Sequence, residues 1–305
     1  MKYHVSHITT YRYSEPVPLG HNETHLTPRR FERQDCLDSR FSVMPAPAIL
    51  QTRTDYFGNP VIFFALEEEH AKLTVTATSV VELFEPRWPA GPSTPAWETV
   101  RAALAAPADA AALAAALFRF DSPYARRHPR LAEYAGQSFT PGRPLLDAAL
   151  DLTARIHGQF RYDPAATSVN TPILDVFEKR RGVCQDFAHL EIACLRSLGL
   201  AARYVSGYLS TDPPAGQERL VGADASHAWS SLYCPGVGWL DLDPTNNQMP
   251  ALRHVTIAWG RDYGDVCPIK GVFIGGGHHG MSVAVDVVRQ SDGPQEPPAA
   301  PPPPG

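Results

Sequence analysis

Three short stretches of the sequence carry side chains able to run covalent chemistry. In Arg181-Gly182-Val183-Cys184-Gln185-Asp186 a thiol follows a basic, glycine-bearing loop. It opens an apolar run at helical spacing: Phe187, Leu190, Cys194, Leu195 and Leu198. That pattern predicts a helix beginning near Cys184 and closed by Gly199. A thiol at a helix start faces unpaired N–H groups and the positive dipole end, which favour the thiolate over a free thiol titrating near ~8.5. The same N–H groups can hold an oxyanion. In Ala225-Ser226-His227-Ala228-Trp229 an imidazole begins a predicted strand, where it can accept the thiol proton and return it to a leaving amine. Taken alone, this His reads better as a structural strand cap. In Trp239-Leu240-Asp241-Leu242-Asp243-Pro244-Thr245 two acids interrupt an apolar strand. Burying an unpaired charge is expensive, and aligning a neutral imidazole gives one of these carboxylates a reason to be there. Strand alternation puts Asp241 and Asp243 on one face and does not choose between them.

These groups need elements to bring them together. Residues 201–209 and 228–234 read as strands, and a turn at Pro235-Gly236-Val237-Gly238 returns the chain into 239–243. The hairpin lays the His227 and Asp243 strands side by side. Upstream, Pro144 sits at a first helical position before Leu145, Ala149, Leu152 and Ile156 at helical spacing. Residues 1–85 alternate short strands, around Tyr11-Arg12-Tyr13, Phe41-Ser42-Val43, 61–64 and 73–77, with turn clusters. That spacing predicts an antiparallel β-sandwich. The expected division is a β-rich domain over 1–88, a helical linker region over 89–143, a catalytic core over 144–290 with a last strand at 282–288, and a disordered Pro-rich tail over 291–305. The fold class is α+β.

The composition is globular: 305 residues, 44% hydrophobic and 19% charged, with a formal charge of -5. Without a basic excess, no nucleic-acid partner is expected. No apolar run approaches the roughly 18 residues of a membrane span, and the N-terminus shows no signal-peptide core, so a cytoplasmic protein without a membrane partner is expected. The Ala-rich stretch 102–117, broken by Pro107 and Asp109, reads as soluble helix. Five cysteines, with no CxxC pair, argue for reduced thiols and against a thiol-based zinc site.

The segments GVCQDFAHLEIACLRSLGLAARYVSGYL and ASHAWSSLYCPGVGWLDLDPTNN resemble the transglutaminase-like core of the papain-like cysteine enzyme superfamily. TYRYSEPV, HLTPRR and DYFGNPV resemble the β domain that precedes this core in bacterial members, and DYGDVCPIKGVFIGGGHHGMSVAVDV resembles the end of the same proteins. The resemblance implies a catalytic triad of Cys184, His227 and Asp243, the acid being placed through its Asp-Pro-Thr. It implies acyl transfer on a peptide or protein substrate through a thioester, with hydrolysis favoured over transfer to an amine. Protein-glutamine transglutamination and deamidation are the alternatives. A non-catalytic scaffold is the reading from another class, and the intact Cys, His and Asp set speaks against it.

No cofactor and no metal are expected. The acids form no repeated oxygen-ligand loop, so a calcium site of the kind animal transglutaminases use is not evident. A zinc hydrolase built on His278 and His279 in Gly275-Gly276-Gly277-His278-His279-Gly280 is a weaker rival, because two adjacent His rarely face one ion without further ligands. Gln159 and Tyr162 are candidates for a second oxyanion donor. Asp186 and His189 read as structural, and Glu67-Glu68-Glu69 as a solvated loop.

Overall fold

The computed structural model describes residues 1–90, 93–211 and 226–290; the expected Pro-rich tail lies outside the described residues. Six strands come first: β1 (Lys2–Val17), β2 (Leu19–Thr24), β3 (Gln34–Met44), β4 (Ile49–Thr54), β5 (Pro60–Leu66) and β6 (His70–Leu83). Helices α1 (Trp97–Ala105), α2 (Ala110–Ala116), α3 (Pro129–Gly136) and α4 (Leu145–Gln159) follow. Then come β7 (Arg161–Tyr162), α5 (Ile173–Lys179), β8 (Arg181–Gly182), α6 (Cys184–Ser197), β9 (Ala202–Leu209), β10 (Ser226–Cys234), β11 (Gly238–Leu242) and β12 (His254–Gly260). The last elements are α7 (Tyr263–Val266), β13 (Ile269–Ile274) and β14 (His279–Arg289).

Alternation drives the N-terminal strands. Along β6, Leu73, Val75, Ala77, Val81 and Leu83 turn inward at every second or fourth position. The strands form two antiparallel sheets, ordered β14-β1-β6-β3 and β13-β2-β5-β4. From the sequence, residues 269–290 belong to the catalytic core. They instead return to the N-terminal strands, where β14 pairs with β1 along Tyr3↔Arg289 to Tyr13↔His279 and β13 pairs with β2. The physical reason is that β1 and β2 would otherwise be bare edges with unpaired backbone groups.

The long strands β1 and β6 serve two cores. Leu73, Val75 and Ala77 pack with Phe64, Leu66, Val43 and Leu26 between the two sheets. Tyr3, Val5, Val81 and Leu83 join a second cluster with Leu152 and Ile156 of α4, Leu190 and Cys194 of α6, and Val285 and Val287 of β14. A continuous apolar interface of this kind leaves little freedom for domain motion.

The third sheet, β11-β10-β9-β12, is antiparallel and carries α6 on one face. Its β12 edge is not left open. The Gln34 amide donates to the Thr256 carbonyl at 2.7 Å and accepts from its N–H at 2.8 Å. The Asn59 amide does the same to Trp259, at 2.9 Å both ways. Two side-chain amides thus stand in for a neighbouring strand.

The Ala-rich stretch splits into α1 and α2 where Pro107 lacks an N–H and Asp109 caps α2 through the Ala112 N–H at 2.7 Å. No single helix among the described residues is long and apolar enough to cross a membrane. The α1–α2 pair meets length and composition only together, and it is bent by 95°.

Candidate active site

Cys184 is the first residue of α6, and its surroundings explain why the helix starts there. The Asp186 carboxylate, at the third helical position, turns back to accept the Val183 N–H at 2.8 Å and the Thr167 hydroxyl at 2.6 Å. Gly182 is required by that turn, since a Cβ on it would lie 2.7 Å from the Asp186 Oδ2. The short parallel pair of β7 and β8 sets Tyr162 opposite Gly182, beside the lead-in to Cys184. The half-buried thiol therefore stands on the free N–H groups of the first turn, as the loop-then-periodic pattern predicts.

The other end of the arrangement comes from the sheet. His227 sits one residue into β10 opposite Gly207 of β9. Gly207 has no room for a side chain, because a Cβ would meet the Val255 carbonyl oxygen at 2.1 Å and the Trp229 ring at 2.6 Å. His227 Nε2 is 2.8 Å from Asp243 Oδ2, and the ring lies near enough to Cys184 for the thiol to favour its charged form. The structure thus brings Cys184, His227 and Asp243 together around one imidazole. Burial opposes a charge on that ring. The bond to Asp243 and the nearby Cys184, with the charges behind them, outweigh burial and raise His227 to about 10.

Asp243 is fully buried just past the end of β11 and is heavily partnered. Its Oδ1 accepts the N–H groups of Thr245 at 3.0 Å and Asn246 at 3.2 Å. Its Oδ2 faces His227, His254 Nε2 at 3.1 Å and the Asn246 amide at 2.8 Å. Burial alone would raise the carboxyl; the bonds from His227, His254 and Asn246 hold it well below the usual carboxylate range. Asp241, two residues earlier, goes elsewhere: it meets Arg33 of the N-terminal region at 2.6 Å.

His254 and Asn246 were not singled out in the sequence. His254 begins β12 as His227 begins β10, each the first or second residue of a β-branched or aromatic run; that shared context is the signal that could have found it. His227, Asp243 and His254 also form the one group among the described residues whose ligand atoms converge closely enough to hold a metal ion. His278 and His279 do not join it; they are exposed, and His279 lies against Tyr13 and Phe273. Gln159 accepts a hydrogen bond from Tyr134 at 3.0 Å. Tyr162 is the one of the two oxyanion candidates that feels Cys184: burial raises its hydroxyl, and the thiol and Asp186 add to the rise. His189 is buried, accepts the Tyr263 N–H at 3.1 Å, and is lowered to about 3 by burial and by Arg196.

Beneath the site lies Glu191, fully buried, two helical turns along α6 from Cys184. It meets the Thr153 hydroxyl at 2.6 Å and the Ser230 hydroxyl at 2.7 Å. Thr153 Oγ1 is also 2.9 Å from the Ala149 carbonyl. One hydroxyl proton cannot serve both oxygens, so a protonated Glu191 completes the count by donating to Thr153. Burial agrees, pushing Glu191 up to about 8 against the two hydroxyl bonds.

Residues 3–82 match the bacterial transglutaminase-like N-terminal region, and residues 132–244 match the transglutaminase-like superfamily. Over 295 residues the chain is 41% identical to an uncharacterized protein of Mycobacterium tuberculosis, covering 94% of this chain and 92% of that one. The chain belongs to the transglutaminase-like superfamily. A stretch of 107 residues is 33% identical to the protein-glutamine gamma-glutamyltransferase of Pseudomonas aeruginosa, covering 32% of this chain and 16% of that enzyme. Among solved structures, a proposed cysteine protease from Cytophaga hutchinsonii superposes with a TM-score of 0.73 at 23% identity, over 96% of this chain and 93% of that one. The fold is accordingly the mixed one expected: N-terminal antiparallel sheets ahead of a transglutaminase-like core of the papain-like cysteine protease type.

Proposed function

We propose that the chain is a cysteine-dependent acyl-transfer enzyme acting on peptide or peptide-like amides, with water as the usual acceptor. The observation that carries this is the single His227 ring, which feels the thiol at the head of α6 and is bonded to a buried Asp243 carboxylate at 2.8 Å. His227, raised to about 10, already holds the proton that Cys184 gives up, and the sulfur adds to the amide carbonyl. The free N–H groups at the start of α6 hold the oxyanion, with the Tyr162 hydroxyl as a second donor. His227 then delivers the proton to the leaving amine, and the C–N bond breaks to leave a thioester. Water, deprotonated by the same imidazole, attacks the thioester and releases the acid and the thiol. Asp243 keeps the imidazole in one tautomer and offsets its charge while it holds the proton.

A second reading, transfer of the acyl group to an amine, draws support from the stretch similar to the Pseudomonas gamma-glutamyltransferase. One experiment separates the readings. The protein is incubated with a peptide library with and without an added primary amine, and products are read by mass. Backbone cleavage, glutamine deamidation and amine incorporation give three different mass changes. Hydrolysis predicts cleavage products whose yield does not depend on the amine. The Cys184→Ala variant should be inactive with an unchanged circular dichroism spectrum; turnover at the wild-type rate in that variant would overturn the mechanism.

A further inference from the structure

The core sheet has a second polar row, remote from Cys184. Arg203 on β9 pairs with Ser231 on β10, and Ser231 pairs with Asp241 on β11. His227 lies opposite Gly207, so the row is four residues along the strand from the thiol–imidazole pair, about 13 Å at ~3.3 Å per residue. All three side chains of the row are buried, and Arg203 is 6% exposed. Arg203 Nε, Ser231 Oγ and Asp241 Oδ1 each lack a hydrogen-bond partner within the protein. Native interiors seldom leave one such atom unpaired, and here three stand side by side.

Among the described residues Arg203 has no carboxylate of its own within ion-pair distance, although Asp241 and Glu32 act on it from farther off. Asp241 spends its other oxygen on Arg33. The Arg203 guanidinium stacks on Trp239 at 4.1 Å and on Trp259 at 3.8 Å. Arg29 also stacks on Trp259, at 3.6 Å, and donates to the neutral Phe57 carbonyl. Burial, with the neighbouring Arg29 and Arg33 and against Asp241 and Glu32, lowers Arg203 to about 9, which leaves it a cation at neutral pH.

Arg203 and both tryptophans line a cavity of about 840 Å³ between the β10–β11 turn, α2 and the loop carrying Phe57. That is ample for a small ligand, since such pockets run from about 300 to 1,000 Å³. Its walls are apolar. Phe57, Phe118, Trp239 and Tyr233 follow one another at ring separations of 5.7, 5.2 and 5.3 Å. Half-exposed Leu117 and Val237 widen the apolar surface at the mouth. Asp109 is also on the lining, and it disfavours a second negative group on the ligand.

We propose that this cavity is a binding site for a small monocarboxylate with an aromatic or aliphatic body. The body stacks among the rings, and the carboxylate accepts from the Arg203 guanidinium. The site is separate from the thiol site and does not depend on the function proposed for it.

Titration of the full chain with decanoate and 4-phenylbutyrate, against their primary amides, tests this by calorimetry and by the fluorescence of the lining tryptophans. Each acid should bind at least about tenfold more tightly than its amide, the size expected of a charge-assisted hydrogen bond. Arg203→Met should remove that preference while leaving the amide affinity nearly unchanged. Should that variant fail to fold, Ala114→Trp, placed on the exposed outer lining, is expected to block acid and amide alike. Equal affinity for acid and amide would overturn the role of Arg203. Absence of binding at millimolar acid, or unchanged binding in Ala114→Trp, would overturn the site.

Discussion

The two ends of the core sheet hold the same kinds of residue in opposite conditions. At one end Asp243 is surrounded by donors, and the imidazole it holds feels Cys184. At the other end Asp241 and Arg203 lie in one row with an atom apiece left unpaired, and the nearest firm ion pair comes from Arg33, outside the core. Asp241 lies in β11 and Asp243 one residue past its end, only two residues apart, and both are buried. Identity and burial therefore do not define an active-site acid. What separates the two is what the neighbouring elements aim at each. The turn after β11 folds three donors back onto Asp243, whereas the N-terminal region sends a single guanidinium to Asp241.

That contrast breaks most sharply at the histidine. His227→Ala and Asp243→Ala should each lower kcat/KM by about 10²–10⁴, and His227→Ala should also lower the melting temperature, because Asp243 loses a partner. If Asp241→Asn lost as much activity as Asp243→Ala, the two acids would not be distinct in role. The expected outcome for Asp241→Asn is near-normal turnover and a stability loss on the order of 3 kcal/mol in urea titration, because Arg33 is left without its partner.

Glu191 sharpens the comparison in pH. Its carboxyl titrates near about 8 in the fold against 4.5 outside it. Between those values the unfolded chain releases a proton that the folded chain keeps, so this group lowers stability as pH rises and has no further effect above about 8. Glu191→Gln cannot titrate. Relative to wild type it should gain about 2–3 kcal/mol between pH 5 and pH 7, read from urea unfolding at each pH, with little change in turnover. Asp243 works with the opposite sign. Its lowered pKa stabilises the fold above the normal carboxylate range and is lost as pH falls. His227 adds stability below its unfolded value of 6.5 that fades as pH climbs through about 10.

The smallest effect is expected at His254. Its ring touches Asp243 but not the thiol, which makes it a positioning residue. His254→Gln should cost up to about tenfold in kcat, and the acidic limb of the pH–rate profile should move upward because one donor to Asp243 is weakened. A purely structural His would change stability and leave that limb in place.

Much of the site is legible in the sequence because its parts are local. The helix start at Cys184, the strand start at His227 and the hairpin that returns to Asp243 each have a signature within a few residues. Even so, alternation leaves Asp241 and Asp243 equivalent, and the difference between them lies in Arg33 and His254, which arrive from distant segments. The amide clamps of Gln34 and Asn59 on β12 have no sequence signature, since any exposed strand edge would accept them. The return of β13 and β14 to the N-terminal sheets is hidden for the same reason: an alternating strand states that it needs a neighbour and does not say which one.

That return has a consequence for synthesis. The ribosome delivers β1 and β2 before their outer partners β14 and β13, so a nascent chain cannot cover the outer edges of its first sheets until residues 269–289 have emerged. Until then the long edge of β1 and the short edge of β2 are open to other chains, the kind of surface that nascent-chain chaperones shield. Chains arrested before residue 269 are expected to remain protease-sensitive in their first 88 residues, and chains arrested with 289 clear of the exit tunnel to become resistant.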